Sequence, residues 1–226
     1  MPGKQCPATP MSSDTGVTIE VFADVGCPFA HLGLLAVVEQ CRQRNRPDVV
    51  LRVRAWPLEL VNGKPLDAHF IAEEVDEIRP QVAPDQFRNF TADAFPSSTL
   101  PAMELTAAAY AVSDRIGQEV ALAVRHALFE QGANVGDPDV LAGIATTHDV
   151  VWPPDPDQLP SPAGVVRDDW AEGVARGVVG SPHFFTPDGG YFCPALDVSR
   201  DSDGHLRVTA DRDVFTSFID TVVGPV

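Results

Sequence analysis

The spacing of hydrophobic and polar positions changes twice along the chain. From Val17 to Ala23 (VTIEVFA), β-branched and aromatic residues alternate with polar ones, which predicts a strand. Pro28 then stands where a first-turn proline is tolerated. Leu32, Leu35, Ala36, Val38 and Glu39 carry a helical pattern as far as Arg44. Val49 to Trp56 (VVLRVRAW) reads as a second strand ended by Pro57. Strand, helix and strand in this order form a βαβ unit, whose strands should be parallel with a right-handed crossover.

From about Pro65 to Pro160 the period is helical. HFIAEEVDEI, AMELTAAAYAVSDRIG and QEVALAVRHALFEQG keep apolar residues at three-and-four spacing, with Gly117 and Gly132 as expected C-terminal stops. Asp137-Pro138 offers an N-cap and a first-turn proline for a helix over DVLAGIATTHDV. WPPDPDQLPSP, residues 152–162, is too proline-rich for a helix and reads as a stiff connector, and VVRDDWAEGVARGVV resumes the helical pattern. The period then shortens again. SPHFFTPDGGYFCPAL holds two aromatic runs around Pro187-Asp188-Gly189-Gly190, a turn composition that predicts an antiparallel hairpin. HLRVTA reads as a further strand and DRDVFTSFIDTVV as a closing helix.

The chain has 226 residues, 44% of them hydrophobic, enough for one core or for one domain carrying a large insertion. Its formal charge of -16 repels phosphate backbones and anionic membrane surfaces, which argues against nucleic acid and membrane partners. Residues 1–16 lack the apolar run of a secretory signal and read as a tail, and no stretch has the apolar length of a membrane span, so a cytoplasmic location is expected. The 4 cysteines, Cys6, Cys27, Cys41 and Cys193, have neither disulfide-framework nor metal-ligand spacing, and no metal site is expected.

Cys27 is the candidate nucleophile. A thiol at the first turn of a helix faces unpaired N–H groups and the positive end of the macrodipole, so it should be more acidic than a free cysteine. The competing reading is a small buried hydrophobe. Cys41 lies along the same helix, roughly 21 Å away at about 1.5 Å per residue, beyond disulfide reach. His31, one turn past Cys27, is a candidate to stabilise a thiolate or shuttle a proton, with helix-surface or capping duty as the alternative. His69, His126, His148 and His205 fall in no ligand spacing and read as structural.

The order βαβ, helical insertion, ββα resembles the DsbA-like thioredoxin-fold family, especially its FrnE-type branch. The resemblance rests on Cys27-Pro28 opening the first helix, on the long helical insertion and on Gly180-Ser181-Pro182 before the third strand, and it covers most of residues 17–222. It implies an α/β thioredoxin fold formed by 17–64 and 178–226, with 65–177 inserted as a helical domain. It also implies a cis-Pro182 facing Cys27, with Ser181 offering backbone hydrogen bonds to an incoming thiol or peptide. Family members with redox activity carry C-P-x-C; here Ala30 takes the second cysteine's place, so the dithiol cycle cannot run within this motif. Single-thiol chemistry remains: a mixed disulfide with a protein thiol or a small thiol of the glutathione or mycothiol type, with no tightly bound cofactor. Cys193, expected in the hairpin near His183 or Phe184 and next to Pro182, is a candidate resolving thiol or else a packed strand residue. Pro28, Phe29, Trp56 and His183 are candidate substrate contacts, with core packing the alternative for Trp56. Phe87, Phe90, Phe95 and Tyr110 either cover the site or pack a core.

The run Pro28-Phe29-Ala30 also resembles the S-P-F-A of 2-hydroxychromene-2-carboxylate isomerases and kappa-class glutathione transferases, in which a serine stands where Cys27 does. A thiol-dependent isomerase or transferase, and a non-catalytic binding module, are therefore the alternatives. A homodimer is left open.

Overall fold

The computed structural model describes residues 17–157, 159–186, 189–210 and 212–224, so Cys6 and the Pro187-Asp188 half of the expected turn lie outside the described residues. Strand β1 (Val17–Ala23), helix α1 (Pro28–Gln43) and strand β2 (Val49–Ala55) form the βαβ unit, β1 and β2 pairing in parallel from Val17–Val49 to Ala23–Ala55. A short helix α2 (Leu58–Asn62) leads to α3 (Ala68–Val82), whose Asp67 cap accepts hydrogen bonds from the His69 and Phe70 amides. After α4 (Leu100–Val112), α5 (Asp114–Phe129), α6 (Pro138–Thr147) and α7 (Pro162–Ala175), the chain returns as the antiparallel hairpin β3 (His183–Thr186) and β4 (Gly189–Phe192). The sheet order is β2-β1-β3-β4, with β3 antiparallel to β1. These elements make a thioredoxin-like mixed sheet.

Two of the expected elements differ. The helix expected to run through to Gly117 breaks at Ser113, whose extended backbone (φ -166°, ψ 160°) ends α4 and whose Oγ accepts from the Ile116 amide to start α5. Side-chain capping outweighs the continuous apolar spacing. Gly117 is therefore not a stop; it lies inside α5, where an added Cβ would overlap the Tyr110 ring. Gly132, with φ +66°, does follow the end of α5. The HLRVTA strand, β6 (Leu206–Thr209), does not extend the main sheet. It pairs with β5 (Asp197–Arg200) in a separate ribbon that docks on α3, where Gln81 bonds both Leu206 O and Val208 N and Glu77 accepts from Leu206 N. A closing helix α8 (Arg212–Val223) packs Phe218 and Ile219 onto the sheet.

Three layers result. One sheet face packs on α1 and α8 through Ile19, Val21, Leu34, Val37, Phe184 and Phe218; the other carries Phe22 and Trp56 against α7. The inserted helices share a second core built on Phe87, Leu105, Val124, Leu128 and Phe129. The free edge of β2 is closed by side chains: Gln118 accepts from Leu51 N, Asp169 from Ala55 N, and the Tyr110 hydroxyl accepts from Val53 N while donating to Leu51 O. The edge that would otherwise template a new strand is thus occupied. No helix among the described residues is long and apolar enough to cross a membrane.

Gly117 gives a direct test of this packing. Helix propensity alone favours alanine there by up to about 1 kcal/mol, yet the overlap with Tyr110 should make Gly117→Ala destabilising by about 1–3 kcal/mol, measured by urea unfolding.

Candidate active site

The site is assembled where β1 ends. Asp24 is fully buried, and its carboxylate accepts hydrogen bonds from the amides of Gly26 (2.7 Å) and Leu58 (2.7 Å) and a longer one from Thr99 Oγ1 (3.4 Å). It ties the loop before α1 to α2 and to the start of α4. Burial raises its pKa to about 6 despite these donors. Its own amide donates to Ser181 Oγ (2.9 Å), which fixes the segment before β3 against the end of β1.

Cys27 follows as the N-cap of α1 with extended backbone (φ -85°, ψ 115°), and Pro28 occupies the first turn. Its thiol donates to the Ser181 carbonyl at 3.1 Å. The Ser181–Pro182 peptide bond is cis. Gly33 lets α1 approach this segment closely: an added Cβ would stand 3.3 Å from Pro182 Cγ. On the other side, the Cys193 amide donates to the Pro182 carbonyl at 3.0 Å. Pairing of His183 with Phe192 sets Cys193 one residue beyond the hairpin ladder, next to Pro182 as the hairpin reading expected. Its φ of +44° lies in the left-handed region, uncommon for a residue with a side chain. An apolar hollow of about 380 Å³, lined by Leu32, Leu35, Ala36, Leu196 and Phe215, borders this turn.

The electrostatics reverse the expectation for Cys27. The residue is 5% exposed, and burial pushes its thiol up to about 11. Smaller influences from the Ser181 side chain and the Ala30 amide favour the thiolate, whereas the charges of Asp24 and Glu74 oppose it. Loss of water around sulfur outweighs the helix terminus, and a thiol donating to a carbonyl is further held in its neutral form. Cys193 is buried as well, and its thiol is pushed up to about 12 by burial and then by Cys27. The charge of Cys27 thus reaches the Cys193 thiol. Cys41 is half-buried and free.

His31 does not serve the thiol. Its Nε2 bonds Glu130 Oε1 at 3.1 Å, and its ring packs against Phe87 and Phe129 at centroid distances of 5.6 and 5.0 Å. Burial drops its pKa to about 4, so near neutral pH it brings no positive charge. Trp56 is core rather than a substrate contact: it is 4% exposed against Phe22 and Gly173. His183 shares the α7 side of the sheet with Phe185, on which it stacks at 4.7 Å, and its Nδ1 accepts from the Val179 amide. Phe87, Phe90 and Phe95 join Phe129 in the helical core instead of covering the cysteine. Phe29 is half-buried at the seam of both main cores. Three charged residues near the site were not anticipated. Asp24 and Arg125 are each a charge inside an apolar run, VFADVG and ALAVRHALF, which is the signal that could have found them. Glu74, on α3, is paired with Arg200 at 3.1 Å and pushed by burial up to about 7. Among the described residues no cluster of three or more His, Cys, Asp and Glu could hold a metal ion.

The DSBA-like thioredoxin domain family model matches residues 18–200, most of the chain, including Cys27, the inserted helices and Pro182. The chain belongs to that family. Solved structures agree at the level of fold. A protein from Nitrosomonas europaea matches with a TM-score of 0.61 at 15% identity over 92% of this chain and 98% of its own. The cytosolic disulfide reductase DsbM from Pseudomonas aeruginosa matches at 0.54 and 14%, over 92% of this chain and 98% of that one. A 2-hydroxychromene-2-carboxylate isomerase follows at 0.56 and 11%, over 77% of this chain and 88% of that one. No curated protein matches in sequence. In this DSBA-like domain, then, Cys27 is a buried neutral thiol at the start of α1, with Ala30 three residues on.

That electrostatic state has a consequence for stability. The unfolded chain ionises its thiols near the ordinary value of about 9, whereas folded Cys27 holds its proton to about 11. Above pH 9 the unfolded state binds fewer protons, so stability falls as pH rises through this interval, by on the order of 2 kcal/mol for Cys27. Urea midpoints measured from pH 8 to 11 should fall more steeply for wild type than for Cys27→Ala.

Proposed function

We propose that this protein is a thiol–disulfide oxidoreductase that works through Cys27 as a single nucleophilic cysteine, with Ser181 and cis-Pro182 positioning the partner. The observation that carries the reading is the 3.1 Å hydrogen bond from the Cys27 thiol to the Ser181 carbonyl, beside a cis X-Pro bond and at the N-terminus of α1. The Ser181 carbonyl serves as a switch in this scheme. An incoming peptide or small thiol with an N–H group competes for that acceptor, and a thiol deprived of it ionises more readily. In the free protein the thiolate is scarce, about one molecule in ten thousand at pH 7 for a thiol near 11.

The exchange balances as follows. The Cys27 proton passes to solvent, and the thiolate sulfur attacks one sulfur of a disulfide. The S–S bond breaks, one half leaves as a thiolate that takes up a proton, and the other half stays joined to Cys27. A second small thiol, as its thiolate, attacks the substrate sulfur of this mixed disulfide, which releases a new disulfide and restores the Cys27 thiol. The reported complex of DsbM with glutathione, at 13% identity, supports a small thiol of that type as co-substrate, mycothiol being an equivalent in chemistry. The description of DsbM as cytosolic supports a cytoplasmic setting, where small thiols are plentiful. The apolar hollow beside the Cys193 turn supports an apolar partner segment.

A second reading is favoured by the place of Cys193, whose amide bonds the Pro182 carbonyl at 3.0 Å and whose thiol feels the charge of Cys27. Here the Cys193 thiolate attacks the Cys27 sulfur, the substrate leaves as a thiolate, and a Cys27–Cys193 disulfide forms; two small-thiol molecules later reduce it by successive exchange and leave as their own disulfide.

Exposure to oxidised glutathione should add one glutathionyl group to Cys27, read by intact mass and peptide mapping, with Cys27→Ser losing it. An adduct that maps elsewhere contradicts the proposal. Under the second reading wild type loses the adduct in favour of an internal disulfide, and Cys193→Ser prolongs it severalfold. An unchanged lifetime leaves the single-thiol scheme.

A further inference from the structure

A cavity of about 170 Å³ lies beyond the free edge of β2, between that strand, α4 and α7. Its closed end is formed by Ala23, Val25 and Arg125, each 1% exposed, and its walls include Met103 and Tyr110. Its open end carries Arg52 and Arg54, whose side chains are 42% and 23% exposed. Apolar cavities of about 150 Å³ hold benzene, so the space accepts a six-membered ring.

Arg125 makes this more than a packing defect. One guanidinium nitrogen donates to Ala121 O (2.7 Å) and another to Asp24 O (3.2 Å), both main-chain carbonyls. Its Nε has no hydrogen-bond partner among the described residues. The carboxylate that acts most strongly on Arg125, Asp24, spends its oxygens on the Gly26 and Leu58 amides and Thr99. The other arginines at the cavity are satisfied: Arg52 is paired with Asp114 at 2.5 Å, and Arg54 with Asp169 at 2.7 Å and Glu20 at 3.1 Å. Asp169, which also lines the cavity, is neutralised by Arg54 and by the Ala55 amide and presents no free negative charge. A buried guanidinium without a bonded carboxylate, at the end of an apolar pocket, calls for an anion, because an unpaired buried charge is costly.

We infer that this cavity is a binding site for a small carboxylate with an apolar or aromatic body, seated with its carboxylate on Arg125 and its body against Met103 and Tyr110. Cys27, Ser181 and Pro182 do not line this cavity, and the proposal adds no step to the thiol chemistry.

Benzoate is the probe. Calorimetry on the full chain should give one saturable site at about 1 mM or tighter, and benzoate should raise the melting temperature. Benzamide, of the same shape without the charge, should bind at least about tenfold more weakly. Ala107→Leu, which narrows the cavity from α4 and leaves Arg125 in place, should weaken benzoate at least about tenfold while keeping the wild-type circular dichroism. The inference is overturned by no saturable benzoate binding up to about 10 mM, by benzamide binding equally well, or by Ala107→Leu binding as wild type does.

Discussion

The hydrogen bond between the Cys27 thiol and the Ser181 carbonyl is the contact on which the candidate site depends, because it joins residues 154 apart and fixes both sides of that site at once. Cys27 is held by the start of α1, and Ser181 by the strand that returns after the whole helical insertion. Burial keeps the thiol protonated, and a thiol that donates to a carbonyl is favoured in its neutral form. A cysteine at a helix N-terminus is thus no guarantee of a thiolate. The macrodipole acts on a group that retains some water, and here the surrounding chain removes it.

Below this contact, buried charges tie the insertion to the sheet. Asp24 gathers amides from the α1 loop and α2 and the Thr99 hydroxyl before α4. Arg125, from α5, returns a hydrogen bond to the Asp24 carbonyl. His31 and Glu130 make a similar join between α1 and the end of α5, with Glu130 also accepting from the Phe87 amide. Side chains from α4, α5 and α7 close the β2 edge. The insertion is therefore part of what holds the thioredoxin-like half in shape.

Much of this architecture could be read in the residues. The alternation in VTIEVFA and VVLRVRAW and the Cys27-Pro28 junction define the βαβ unit without any tertiary information, because period and proline position are local signals. The hairpin after Pro182 is legible for the same reason. The α4–α5 break was not, since Ser113 interrupts a sequence whose apolar spacing continues across it. Nor was the docking of β6 on α3, which is decided by Glu77 and Gln81, polar residues that look like a solvent face. Within the site, residue identity located Cys27 and Pro182, but ionisation depends on what is packed around sulfur. The roles offered for His31 and Trp56 failed on the same ground: Glu130 and Gly173, far away in the chain, took those side chains as partners.

The most direct test of the account is the rate of Cys27 alkylation by iodoacetamide in the free native protein from pH 6 to 11.5, resolved by peptide mapping. A buried neutral thiol predicts slow labelling at neutral pH that rises with hydroxide concentration and levels off only near pH 11. Rapid labelling with a plateau at or below the value of an ordinary free cysteine would contradict it.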